Sequence, residues 1–261
     1  MTPSLFEPAD MPPAGGRVPV PLIAQRLHVG DGATDVLHNV TFTVQQEERV
    51  VVVGPSRAGK STLAAVVSGH ATPRSGRLRV AGVGVADVPR GRLPALVTAH
   101  LPRGPLRDSL GADVPDAADD DLRHALDTVG AGGWLAQLPD GLDTVVGTGR
   151  GLSTVRAAQV ALARVLLLEP PLVVLDIAAD AIDLEFLEPT VDIALEGRPA
   201  LVMTRRMEQV ARADRVLLMD HGRIVERGTR EQLLAAGGHF AHLWRAWSAR
   251  LRGRPAGAPR P

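Results

Sequence analysis

The chain has no cysteine and no tyrosine, and aromatic residues make up 3% of its 261 positions. Without cysteine, neither a disulfide nor a thiolate metal centre is possible, and the redox compartment is left open. Net charge is also missing: 29 basic side chains balance 29 acidic ones. No strong field therefore draws the chain to nucleic acid or to an anionic membrane, and no nucleic-acid partner is expected. No apolar run approaches the roughly 20 residues of a membrane helix. Runs such as Val165 to Leu168 and Leu172 to Leu175 have strand length or sit within amphipathic helices. Any membrane-spanning part is then expected on a separate chain. Met1 to Val20 is rich in proline, glycine and alanine, without a charged start and an apolar core, which argues for the cytosol.

Lysine is the scarcest charge of all. Lys60 is the single lysine among the 29 basic residues, and every other one is arginine. It lies in Gly54-Pro55-Ser56-Arg57-Ala58-Gly59-Lys60-Ser61-Thr62, which contains G-x-x-x-x-G-K-S, a phosphate-binding loop. A compact ammonium on a flexible stem slips between phosphate oxygens, whereas a planar guanidinium fork does not fit the same loop. The context agrees. Val50 to Val53 is a continuous β-branched run suited to a strand buried on both faces. Ser61 to Ser68 reads as a helix ended by Gly69. Strand, loop and helix would aim backbone N–H groups and a helix N-terminus at phosphates. Lys60 would reach the β- and γ-phosphates of ATP, and the Ser61 hydroxyl would ligate Mg²⁺.

Further along, Pro171 to Asp176 reads as a second buried strand that ends in a carboxylate. An Asp at the C-terminal end of a parallel strand lies where ligands bind in open α/β sheets, so Asp176 is the second candidate Mg²⁺ ligand. Val36 to Val44, Ala200 to Met203 and Val216 to Met219 supply further strands, and Asp220-His221-Gly222-Arg223 a tight turn. Residues 104–165 are rich in helix signals, clearest at Asp119 to Val129 and Thr154 to Leu168. The acidic run Asp116 to Asp121 suits a helix start. The stretch Leu243 to Trp247 fits either a docked terminal helix or a membrane-surface one. The expected boundaries are a tail at 1–20, a β subdomain with the first part of the core at 21–99, a helical subdomain at 100–165, the rest of the core at 166–248, and a second tail at 249–261.

From about Leu22 to Trp247 the chain resembles the nucleotide-binding domain of ATP-binding cassette transporters of the exporter type. The strings that carry the resemblance are Gly54 to Thr62, Leu138 to Thr144, Gly151-Leu152-Ser153, Ala161 to Arg164, Leu172 to Asp183 and Gly222 to Thr229. The resemblance implies an α/β fold: a P-loop NTPase (RecA-like) core, an N-terminal antiparallel β subdomain and an inserted helical subdomain. It also implies Mg·ATP as ligand, a head-to-tail dimer in which each ATP meets the other chain's signature, and a place at the cytoplasmic face of the membrane through a membrane partner.

Several family positions are changed. Ile177 follows Asp176 where the family has a water-polarising glutamate, and an isoleucine accepts no proton. Arg205 stands at the histidine position; it still binds phosphate bidentately but relays no proton. His100 stands at the glutamine position. The signature reads Leu152-Ser153-Thr154-Val155-Arg156: Ser153 is kept at a helix start as an anion-site candidate, and two glycines are gone. The adenine-stacking aromatic falls at about Val29, with His28 the nearest ring, either a stacking surface or a solvated loop histidine. Asp183 matches a loop aspartate at the dimer interface. The phosphate grip is thus whole and the hydrolytic set is not. The expectation is an ATP-binding subunit that hydrolyses weakly or not at all and pairs with a second nucleotide-binding domain, most simply as a heterodimer. The alternative is a soluble regulatory pseudo-ATPase or scaffold uncoupled from transport; a small-molecule kinase is the third class, disfavoured by the Leu-Ser string and the Asp spacing.

Overall fold

The computed structural model describes residues 20–30, 35–87, 95–97, 104–111, 114, 116–147, 152–176 and 187–252. The expected 1–20 tail, apart from Val20, and the stretch beyond Arg252 lie outside them, as do His100, Ile177 and Asp183.

Among the described residues there are two large sheets and a small two-stranded one. The first is antiparallel, built from β1 (Leu22–Gly30), β2 (Asp35–Val44), β4 (Ser75–Val80) and the short β5 (Val83–Gly84) in the order β2-β1-β4-β5. The second has six strands: β12 (Arg223–Gly228), β11 (Arg215–Asp220), β3 (Arg49–Val53), β10 (Ala200–Met203), β9 (Val173–Asp176) and β6 (Ala95–Val97), in that order. Its pairings are parallel except the β11–β12 hairpin, whose turn uses His221 and Gly222 at φ 44° and 72°, the positive values a two-residue hairpin turn needs.

The central strands are apolar throughout because both faces are covered. Val51 and Val53 of β3 pack into one core with Val173 and Leu175 of β9, against α5 (Thr154–Leu168) and Phe240 of α8 (His239–Arg252). Val50 and Val52 face the other core with Leu63, Val66 and Val67 of α1 (Lys60–Val67) and with the antiparallel sheet. At about 25 cal/mol per Å² of apolar area buried, these two cores hold β3 from both sides.

The helical region comprises α2 (Leu106–Gly111), α3 (Asp119–Thr128), α4 (Gly132–Leu135) and α5, with a two-stranded pair of β7 (Gly104–Pro105) and β8 (Val145–Val146). The acidic run does start a helix: the Asp121 carboxylate accepts from Ala118 N–H at 3.0 Å, satisfying an orphan donor of the first turn. Gln159 of α5, buried, accepts from Trp134 Nε1 at 2.9 Å and donates to the Val129 carbonyl at 2.9 Å, which ties α5 to α3 and α4. The described chain is completed by α6 (Glu188–Leu195) and α7 (Arg230–Ala236).

Helix α8 docks on the core rather than presenting an apolar face outward. Phe240 is fully buried, Trp244 and Trp247 pack against the core, and Trp247 Nε1 donates to Glu208 at 3.2 Å. The Glu226 carboxylate of β12 accepts from the first backbone N–H groups of the helix, at His239 and Phe240. The helix runs to Arg252, past the expected boundary at 248, because no glycine or proline interrupts it before Gly253.

Candidate functional site

The candidate site is the loop between β3 and α1. Met203 at the end of β10 pairs with Val52 on one side and Asp176 on the other, so β3 and β9 both end toward the loop side of the sheet. The loop turns on Gly59, the cap of α1, at φ 98°. A Cβ there would lie 2.7 Å from Leu37 Cδ2, so the position demands glycine on both conformation and space. Gly54 is fixed by packing: a Cβ would lie 2.1 Å from the Met219 carbonyl oxygen.

Lys60 is 4% exposed. Its Nζ donates to the carbonyls of Gly54 at 2.7 Å and Pro55 at 2.8 Å, folding the ammonium back over the loop. Burial, then the nearby Arg205 charge, lowers its pKa below the ordinary lysine value, and Asp176 acts in the opposite sense. Burial disfavours the charged form, and a like charge adds to that; an anion placed against Lys60 and Arg205 would relieve both. Arg205 follows β10 and Thr204, whose N–H donates to the Val52 carbonyl at 2.9 Å. Its Nη1 donates to Ser56 Oγ at 2.9 Å, so a residue distant in sequence reaches across the loop mouth.

Ser56, Arg57, Lys60, Ser61, Thr62 and Arg205 line one cavity of about 590 Å³, whose lining also includes Asp35, Val36, His38, His221 and Gly222. Three cationic side chains in that lining, with the α1 N-terminus, fit a polyphosphate. The Ser61 hydroxyl is exposed toward the cavity, and Asp176 at the end of β9 is 9% exposed. One hydroxyl and one carboxylate are hard oxygen donors of the kind that hold Mg²⁺ alongside phosphate oxygens and water. A second groove of about 710 Å³ lies behind the loop, lined by Gly54, Pro55, Arg205 and, from α8, Leu243 and Trp247.

Ser153 caps α5, accepting from Arg156 N–H at 3.3 Å, and does not line the loop cavity. His28 lies in β1 with its side chain 33% exposed and its Nδ1 3.2 Å from Asp35 Oδ2, and it does not line the cavity. The sequence reading missed three features. Arg57 sits at φ 66° inside the phosphate loop. Arg205 contacts Ser56. Asp35, His38 and His221 also line the cavity. The first was signalled by an arginine in a glycine-demanding loop; the others follow from strand pairing.

The sequence model of the ABC transporter family matches residues 37–179. A mycobactin import ATP-binding/permease protein, IrtB, of Mycobacterium tuberculosis is 35% identical over 223 residues, covering 82% of this chain and 38% of the relative. An ATP-dependent lipid A-core flippase of Pseudomonas fluorescens is 34% identical over 261 residues, covering 92% of this chain and 43% of the relative. Among solved structures, a bacterial Atm1-family ABC exporter with ATP bound matches with a TM-score of 0.75 at 26% identity, over 93% of this chain and 44% of that one. The chain thus spans about two fifths of the length of these relatives. Among the described residues no helix is long and apolar enough to cross a membrane. With the phosphate loop, the two-sheet architecture and these matches in agreement, the chain belongs to the ABC transporter family, as a nucleotide-binding domain of the exporter type.

Proposed function

We propose that the chain is an ATP-binding subunit that grips Mg·ATP without hydrolysing it efficiently, and that it works with a membrane-spanning permease at the cytoplasmic face of the membrane. The observation that carries this reading is the pairing of a buried Lys60 with Arg205 across one phosphate loop. The cavity lining gathers charge for holding phosphates, while Arg205 stands where a proton-relaying histidine would be and Ile177 follows Asp176. Phosphoryl transfer rests on positioning and charge stabilisation. Omitting a water-orienting base costs on the order of 10²–10⁴ in rate.

In this reading Gly54 to Thr62 cradle the phosphates, Ser61 and Asp176 hold Mg²⁺, and Ser153 meets the nucleotide of a second nucleotide-binding domain. That second domain is a different chain with intact catalytic groups, because a pair of these chains would combine two weak sites. The relatives are named for mycobactin import and for lipid A-core flipping, so the shared ATP-binding unit does not set the direction or the cargo.

Equilibrium titration with Mg·ATP tests the grip. The native chain should bind, and Lys60→Ala should abolish binding; equal affinities would end the phosphate-loop reading. Copurification separates this role from a regulatory pseudo-ATPase: recovery from detergent extracts with a polytopic membrane protein supports transport, and recovery without one supports the alternative.

A further inference from the structure

Where β1 and β2 reach the cavity lies a cluster to which the phosphate grip assigns no role, and two of its members, Asp35 and His38, line the cavity. Asp35 and His38 are separated by three positions, which in a regular strand would place them on opposite faces. The β1–β2 ladder is not regular. Val29 pairs with Leu37 and Gly30 with Asp35, so Val36 is left over as a bulge. Leu27 pairs with Val40 and Val29 with Leu37, so His28 opposes both His38 and Asn39. A third irregularity leaves Gln25 and Arg26 opposite Thr41. Arg26 and Asn39 take up the distortion with φ of 49° and 55°, values that cost a non-glycine residue energy. Bulges of this kind re-aim side chains and gather at functional positions.

The outcome is convergence. One ligand atom each from His28, Asp35 and His38 lies within 4.8 Å of the others, on half-buried side chains. The cluster is supported from outside. Arg74 Nη2 donates to Asp35 Oδ2 at 2.6 Å, which fixes the carboxylate in place. The His38 backbone is anchored by its N–H donating to the Gly222 carbonyl at 2.8 Å. Orientation of a carboxylate by an outer hydrogen bond is what metal ligands ordinarily have.

We propose that His28, Asp35 and His38 form a binding site for a divalent first-row transition ion of the zinc class, beside the cavity that Asp35 and His38 line. Two imidazoles and one carboxylate suit zinc and leave one position of a tetrahedron open for water. Ligand bonds of about 2.0–2.2 Å set donor separations near 3.4 Å, so a modest rotation of the imidazoles closes the set. Magnesium prefers oxygen donors and remains with Ser61 and Asp176 in the reading above. The zinc-class site stands on its own residues and does not depend on nucleotide binding.

Equilibrium dialysis of the full chain against micromolar Zn²⁺, with metal analysis of the retained protein, tests it. The native chain should retain a single tight ion. His28→Gln, His38→Gln and the isosteric Asp35→Asn should each weaken retention at least about tenfold, with melting curves confirming that each variant is folded. With Co²⁺ as probe, the native chain should show the visible absorption of a tetrahedral centre. Lys60→Ala should retain zinc fully while losing ATP, so the two readings fail separately. The proposal is overturned if the native chain retains no ion, or if retention is unchanged in all three variants, which would place the ion on other histidines.

Discussion

Arg57 holds a φ of 66° within the phosphate loop, a conformation that costs an L-residue about 1–2 kcal/mol. Its side chain is exposed and lines the cavity, so the strain is borne at a place where a guanidinium faces the ligand space. Arg57→Gly should relieve it, with part of the gain offset by the greater chain entropy that glycine loses. The expected net effect is stabilisation by ~0.5–1 kcal/mol, read as a raised Tm, together with weaker binding of nucleotide. A lowered Tm would show that Arg57 contributes packing that outweighs its backbone. At this scale the loop itself was legible in the sequence: Gly59, Lys60 and Ser61 act within a few positions of each other, and their spacing carries their geometry. The Arg205–Ser56 contact was not legible. It joins residues 149 positions apart and exists because β10 inserts between β3 and β9. The convergence of His28, Asp35 and His38 was hidden for a related reason, since alternation read along β2 places Asp35 on the wrong face and three irregularities in pairing undo that alternation.

At the scale of the element, α8 shows how the end of the chain is held. Its apolar side is aromatic, with Phe240 and Trp244 ring centroids 6.1 Å apart and Trp244 and Trp247 4.9 Å apart, and Arg230 of α7 lies over Trp244 at 5.7 Å. Phe240 carries most of the docking because it is fully buried. Phe240→Ala should cost ~3–5 kcal/mol in urea unfolding, whereas Leu243→Ala, at a 45% exposed position, should stay within about 0.5 kcal/mol. Comparable losses in both would mean that α8 docks through its exposed side too. The sequence left this helix with two readings, docked or membrane-surface, because an aromatic stripe with arginines opposite has the same pattern in either setting. The choice was made by Glu226, fourteen residues before Phe240, whose carboxylate receives the start of the helix. Continuous β-branched strands such as Val50 to Val53 were easier to read, since a run with no polar position has to be covered on both faces.

For the molecule as a whole, the expectation concerns turnover. The purified chain should show ATPase activity at least about 10²-fold below that of an intact member of its family, at saturating Mg·ATP. Full activity from this chain alone would refute the assignment of Ile177 and Arg205. Addition of a catalytically complete nucleotide-binding domain, with its permease, should raise turnover, and the increase should vanish when the partner's own phosphate-loop lysine is replaced. The order of the six-stranded sheet was beyond the reach of sequence pattern, because strands of similar composition give no sign of which lie side by side. The family resemblance supplied the fold class but not that order.

The alternating burial of β3 has one more consequence. Val51 and Val53 belong to one core, Val50 and Val52 to the other, so a shift of one residue would exchange both sets at once. Strand position is therefore set by two independent packings that must agree. The loop that carries Lys60 leaves this strand directly and inherits its accuracy. In the proposed role, nucleotide would meet a backbone already set by folding, and little of its binding energy would go into arranging it.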